Sequence, residues 1–232
     1  MQEEIMDKAN IAALNATDGL SRRRFLTYAG ALAGAGMLMA SCNNDDDDKQ
    51  VIPAENVLDL GSSDIGGANM LYITDQISAA FFTKVMASPF IGMDSDTQLF
   101  DDMRAHCIAH RELMKSLLGN QAKPELEVKL EGINFTNKGE VLEHASRITD
   151  ISVMAYNRVI GRTISQEWKG VTTKMASVKC RHNAYIHEMI APGSFADTAN
   201  ENGMDQQLPS QTILDYASGY LYTKLSSASF GY

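Results

Sequence analysis

The sequence predicts an all-α protein, an antiparallel four-helix bundle with a long crossover between the second and third helices and a short C-terminal helix. Three observations predict it. Four long stretches between residues 64 and 191 repeat apolar side chains at helical spacing. Proline, glycine and Asn/Asp clusters separate those stretches. The connection at residues 119–138 is far longer than a tight hairpin requires, so the helices fall into two pairs. With 232 residues, 44% of them hydrophobic, the chain can bury one domain plus appendages.

The N-terminal appendage comes first. Residues 21–42, "SRRRFLTYAGALAGAGMLMASC", join an arginine run to a weakly hydrophobic, Ala/Gly-rich stretch too short for a permanent membrane helix. The block from Ser21 to Leu26 resembles a twin-arginine export motif, and "MASC" at 39–42 is similar to a bacterial lipobox. The resemblance implies a signal peptide over 1–41, cleavage before Cys42 and acylation of its thiol. It further implies an exported, lipid-anchored protein of the cell envelope whose membrane contact is made by that anchor.

Behind Cys42, "NNDDDDKQ" is a like-charge run that repels itself and reads as an extended tether, residues 42–63 forming tether and linker. An acidic block in that place also resembles a surface-export signal of bacterial lipoproteins, which implies display on the outer-membrane surface. Both readings stay open. Beyond residue 41 the chain has 16 basic and 25 acidic residues, a net charge of −9. That balance excludes nucleic acid as the partner, since no basic stripe exists to displace phosphate counterions. No protein partner can be named.

The bundle is expected over residues 64–225. Helix 1, about 65–88, has one apolar row at 70, 73, 77 and 81 and another at 68, 71, 79, 82 and 86, so it is buried over a wide arc; Asp75 sits on the second row. Pro89, Gly92 and the cap candidates Asp94 or Ser95 end it. Helix 2, about 95–118, has a stripe of Leu99, Met103, Leu113, Met114 and Leu117 that takes in Cys107 and His110, with His106 at its margin.

Residues 119–138 contain breakers and a short alternating patch, and a connection of that length lets helix 3 run parallel to helix 2. Helix 3, about 139–163, presents Leu142, Ala145, Ile148, Ser152 and Tyr156, with Thr149 on the same face and Asp150 pointing away. Helix 4, about 171–191, presents Val171, Met175, Val178, Ile186 and Met189, and the same phase turns Lys179 and His182 inward, with Cys180 and His187 to one side. A Gly/Asn/Asp-rich loop at 191–208 and a short helix within 209–225 complete the chain.

Two short stretches then stand out. "RAHCIAHREL" (104–113) and "SVKCRHNAYI" (177–186) each carry an inward histidine preceded three residues earlier by a residue that is not a carboxylate: Cys107 before His110, Lys179 before His182. Two helix pairs joined by a long crossover, histidines on helices 2 and 4 and an inward tyrosine on helix 3 resemble the ferritin-like superfamily, in particular its exported, desiccation-associated bacterial type. Segments 69–84, 103–119, 133–161 and 175–186 carry the likeness.

Such bundles hold two metal ions with one Glu from each of two helices and a Glu-x-x-His from each of the others. The resemblance places those six positions at Asp75, Cys107, His110, Thr149, Lys179 and His182. Of these, Asp75, His110 and His182 are conventional metal ligands, and the carboxylates of both Glu-x-x-His motifs are gone. An ammonium at position 179 would repel the cations the family binds, so Lys179 is expected to pair with Asp75 in their place.

The expectation is a ferritin-like lipoprotein with a largely degenerate di-metal site and no cofactor, in a structural, binding or stress-related role. Whether it is an enzyme is left open, with the non-catalytic reading preferred. The alternative is a metal-binding oxidoreductase or storage protein with an altered ligand set: di-iron, or a zinc or copper ion held by Cys107, His110 and His182 with His106 or Cys180 nearby. A Cys107–Cys180 disulfide and free thiols are both open. His144 and His187 look peripheral. The 13 methionines show no Met-x-Met spacing beyond residue 42 and read as core filling. Neither Gly-x-Ser-x-Gly nor a P-loop occurs, and "SSDIGGAN" follows no expected strand.

Overall fold

The apolar rows become four long helices in the computed structural model, which describes residues 57–90 and 92–230. The expected signal peptide at 1–41, the lipidation site Cys42 and the acidic tether as far as residue 56 lie outside the described residues. The order is strand β1 (Val57–Asp59), helices α1 (Ser63–Ala87) and α2 (Thr97–Leu118), a 3₁₀ turn (Gly119–Gln121), helices α3 (Lys138–Arg162), α4 (Gln166–Ile190) and α5 (Ser210–Ser218), and strand β2 (Lys224–Ser226). α1 packs on α2 and α3, and α3 on α4. Ser78 meets Ser152 at 3.2 Å and Asp75 meets Tyr156 at 2.8 Å, so α1 and α3 run antiparallel. The long crossover therefore leaves α2 and α3 parallel, as the sequence implies. Among the described residues no helix is long and apolar enough to cross a membrane.

α1 is the central helix, with its residues buried nearly all the way round. Its polar side chains are consequently inside and need partners. Asn69 donates to the carbonyls of Leu60 and Gln121, both at 3.1 Å, and accepts from the Lys123 amide at 2.9 Å. Gln76 accepts from the Leu126 amide at 2.7 Å. These two amides tie the crossover down across the helix pair, satisfying backbone groups that no regular structure serves.

Helix boundaries are set by local capping chemistry. The Asn137 side chain accepts from the amides of Gly139 and Glu140, while Glu140 accepts from Asn134 N and Asn137 Nδ2, a reciprocal box at the start of α3. α4 begins five residues before the expected position, because Ser165 caps the Trp168 amide and Trp168 is itself buried. Asp96 precedes α2, rather than Asp94 or Ser95.

The two ends of the described chain meet. β1 pairs parallel with β2, Leu58 opposite Leu225. Residues 57–60, read from sequence as the end of a linker, are thereby tied into the fold, and Leu60 is fully buried. The expected C-terminal helix stops at Ser218, after which the chain pairs Leu221 with Val128 of the crossover and becomes β2. A strand does precede "SSDIGGAN", but Gly66 and Gly67 lie buried inside α1, not in an open phosphate-binding loop.

Gly66 sits where the Gly61 carbonyl and the Phe230 ring close over the start of α1; a Cβ there would overlap the Gly61 oxygen and lie 2.7 Å from Phe230 Cδ1. Helix propensity favours Gly66→Ala by about 1 kcal/mol. Overpacking against backbone typically costs about 1–3 kcal/mol and outweighs that gain, so the variant is expected to be less stable by up to about 2 kcal/mol in urea unfolding.

Candidate functional site

The site is built from one residue of each long helix. Asp75 of α1 is fully buried because α1 is central, and a carboxylate in that position must be neutralised locally. Lys179 of α4, 2% exposed, places Nζ 2.5 Å from Asp75 Oδ1. Tyr156 of α3 donates its hydroxyl to Asp75 Oδ2 at 2.8 Å. Cys107 of α2 accepts from Lys179 Nζ at 3.4 Å. Asp75 Oδ1 has no hydrogen bond of regular geometry and is compensated by the ammonium charge.

Burial raises Asp75 above the usual carboxylate range, opposed by Lys179 and Tyr156. Burial also pulls Lys179 toward the neutral amine, but Asp75 and Cys107 more than offset it and hold the ammonium above its ordinary value. A protonated Lys179 in an apolar core needs a counter-ion, so the pair is ionic near neutrality. Burial keeps Cys107 a thiol and pushes the Tyr156 hydroxyl well above its ordinary value, with Asp75 reinforcing the second shift.

One turn along, the histidines form a second layer. His106 Nδ1 lies 3.1 Å from His182 Nε2, and the two ring planes are 15° apart. Nitrogens, not ring faces, make the closest approach, so this is an edge-to-edge hydrogen bond. His110 and His182 are each 6% exposed, and the Nδ1 atoms of both find no hydrogen-bond partner among the described residues. Burial, then the Lys179 charge, drive both rings well below the ordinary histidine value, so they are neutral at pH 7.

Thr149, the sixth position implied by the resemblance, is buried but turned to other work. Its hydroxyl donates to the carbonyls of Ala145 and Ser146 and accepts from Asn183 Nδ2 at 3.2 Å. Asn183 also donates to Asp150 at 2.7 Å, His187 Nε2 lies 3.0 Å from the same oxygen, and His187 Nδ1 is 3.1 Å from Asp197. Asp150 and His187, read as outward and peripheral, thus belong to a polar chain joining α3, α4 and the following loop.

All six positions are buried, but the structure sorts them into three groups: Asp75, Cys107 and Lys179 together, His110 and His182 with His106 beside them, and Thr149 apart with Asn183. Among the described residues no set of three or more His, Cys, Asp or Glu side chains is arranged to hold a metal ion. Cys107 and Cys180 are free thiols, one buried and one half-buried, so the disulfide alternative is not formed. Sequence reading put His106 near His110 and His182 only within the zinc or copper alternative, and its place four residues before His110, on nearly the same helix face, brings it against His182.

A family model described as a ferritin-like domain matches residues 63–192, from the start of α1 to just past α4. No curated protein matches the chain.

Two predictions follow from this geometry. Lys179→Met or Asp75→Leu alone strands a charge in the core and is expected to cost about 3–5 kcal/mol in urea unfolding. The triple change Asp75→Leu/Lys179→Met/Tyr156→Phe, which leaves no orphaned polar group, should recover most of that loss.

The second concerns pH. His110 and His182 titrate far lower folded than unfolded, so below about pH 6.5 the unfolded chain binds protons that the folded chain refuses. Stability should fall with pH from there, by up to about 1.4 kcal/mol per unit for each histidine. His144, also shifted down by burial, adds in the same direction. Asp75, shifted up, opposes the trend only nearer the carboxylate range. Unfolding midpoints between pH 7.5 and 5.5 should show a shallower slope for His110→Leu than for the native chain.

Proposed function

This chain belongs to the ferritin-like domain family, and from that premise we propose that the Asp75–Lys179 ion pair stands where the family's two metal ions would, leaving a non-catalytic bundle with a structural or binding role. The carrying observation is the buried ammonium 2.5 Å from the carboxylate. A fixed cation there neutralises Asp75 and repels incoming divalent ions. The donor set supports the same reading. Both oxygens of Asp75 are engaged, Thr149 is committed to backbone carbonyls and Asn183, and two glutamate positions hold a thiol and a cation. Such a set does not fit a pair of hard cations, which need several bridging carboxylates.

The sequence motifs place this bundle, in our proposal, at the cell envelope: exported through a twin-arginine signal, lipid-anchored at Cys42, and held off the membrane by the acidic tether. A role in an envelope or stress setting is what the family likeness suggests for such a bundle.

One observation favours a second reading. Neutral, buried imidazoles at His110 and His182, each with an unpartnered Nδ1 and with His106 adjacent, are the nitrogen donors that zinc or copper takes.

Metal content separates the two. Purified protein exposed to iron, zinc or copper, desalted and analysed by plasma mass spectrometry, is expected to retain well below one metal ion per chain while keeping its helical circular dichroism. Two irons per chain would overturn the proposal; one zinc or copper, abolished by His182→Leu, would establish the second reading.

A further inference from the structure

We propose that the cavity between α3 and α5 binds a small carboxylate with an apolar body, the size of an aryl-alkanoic acid. The half-open cavity offers about 500 Å³, within the range of small-ligand sites. His144, Arg147, Ile151 and Met154 line it from α3, at the three- and four-residue spacing of a single helix face. Ile151 on that face is buried, whereas Arg147 is exposed. Tyr216 and Tyr220 close the other side from α5 and the turn after it.

The walls divide by chemistry. Ile151 and Met154 give an apolar surface, and Tyr216, 52% exposed at the rim, offers a ring for an aromatic or aliphatic body to cover. The polar groups converge at one end. Tyr220 Oη is 3.0 Å from His144 Nδ1, and burial together with the nearby Arg147 keeps that imidazole below its ordinary value, hence uncharged near pH 7. Arg147 is then the cation of this end. Its partner is Glu143 at 2.6 Å, an exposed pair one helical turn apart, weak enough for a ligand carboxylate to displace or share. A guanidinium matches a carboxylate with two parallel hydrogen bonds, which an amide cannot reproduce.

Asp150 also reaches the cavity and sets the ligand's direction. Its Oδ1 is taken by Asn183 and His187 of α4, so its negative charge lies toward that helix. A bound anion is pushed to the Arg147 end, beside His144 and the Tyr220 hydroxyl, and its apolar body to Ile151, Met154 and the Tyr216 ring. This site uses none of the Asp75–Lys179 machinery, so its fate is separate from that of the proposed function.

The test uses the whole purified protein with two probes, 3-phenylpropionate and its neutral isostere 3-phenylpropanamide, followed by saturation-transfer NMR and by calorimetric titration. The acid is expected to bind saturably, about tenfold or more tighter than the amide. Arg147→Met, a change at a solvent-facing side chain, should reduce the acid to the affinity of the amide and leave the amide unchanged. Tyr216→Ala, also at an exposed position, should weaken both. Absence of saturable binding at millimolar acid, equal affinity for acid and amide, or an Arg147→Met protein that binds the acid as before would each overturn the proposal.

Discussion

A carboxylate cannot stay charged in the middle of a helical bundle without a cation beside it, and that requirement organises this molecule. Asp75 lies on a helix buried on every side, so its neutralising partner has to come from another helix across the core. Lys179 supplies it from α4 at 2.5 Å, Tyr156 closes the second oxygen from α3, and Cys107 of α2 accepts a hydrogen bond from the ammonium. One residue from each long helix meets at one point. Sliding any helix by a turn would expose an uncompensated buried charge or hydroxyl, a cost that apolar packing alone would not impose. The pair is therefore better understood as fixing register than as a net source of stability.

The same charge shapes what lies around it. Lys179 helps hold His110 and His182 neutral, so the histidine layer one turn away is a hydrogen-bonding layer instead of a second positive cluster. The third group, running from Thr149 through Asn183 and Asp150 to His187 and Asp197, carries polar contacts outward from the core to the loop after α4. In a family whose members centre on carboxylate-held metals, the interior of this bundle is still polar and still links four helices. The linking is done by protein charges.

How much of this was legible beforehand differs from residue to residue. Apolar spacing of 3.6 placed Asp75, Cys107, His110, Thr149, Lys179 and His182 on inward faces, and all six are buried. Periodicity assigns a face to a side chain, but faces of Thr149 and Lys179 that are equally inward lead to different neighbours. Capping chemistry was under-read at Ser165, where a tryptophan three residues on marked an earlier start to α4. Asp150 and His187 were placed outside because each lies off its helix's apolar stripe. They are brought together only because α3 and α4 pack side by side.

By itself the sequence determined the helical class, the four long elements, the crossover that sets their directions and the residues that face inward, because those follow from local periodicity and chain length. It also carried the export-like motifs and the acidic run, which depend on order along the chain alone. Only the tertiary structure decided which inward residues touch: Asp75 with Lys179 and Tyr156, His106 with His182, Thr149 with Asn183. It alone joined β1 to β2 and seated the crossover on Asn69 and Gln76. These contacts link residues tens of positions apart, and their partners are fixed by helix rotation and register. Both quantities emerge when separate elements pack against one another.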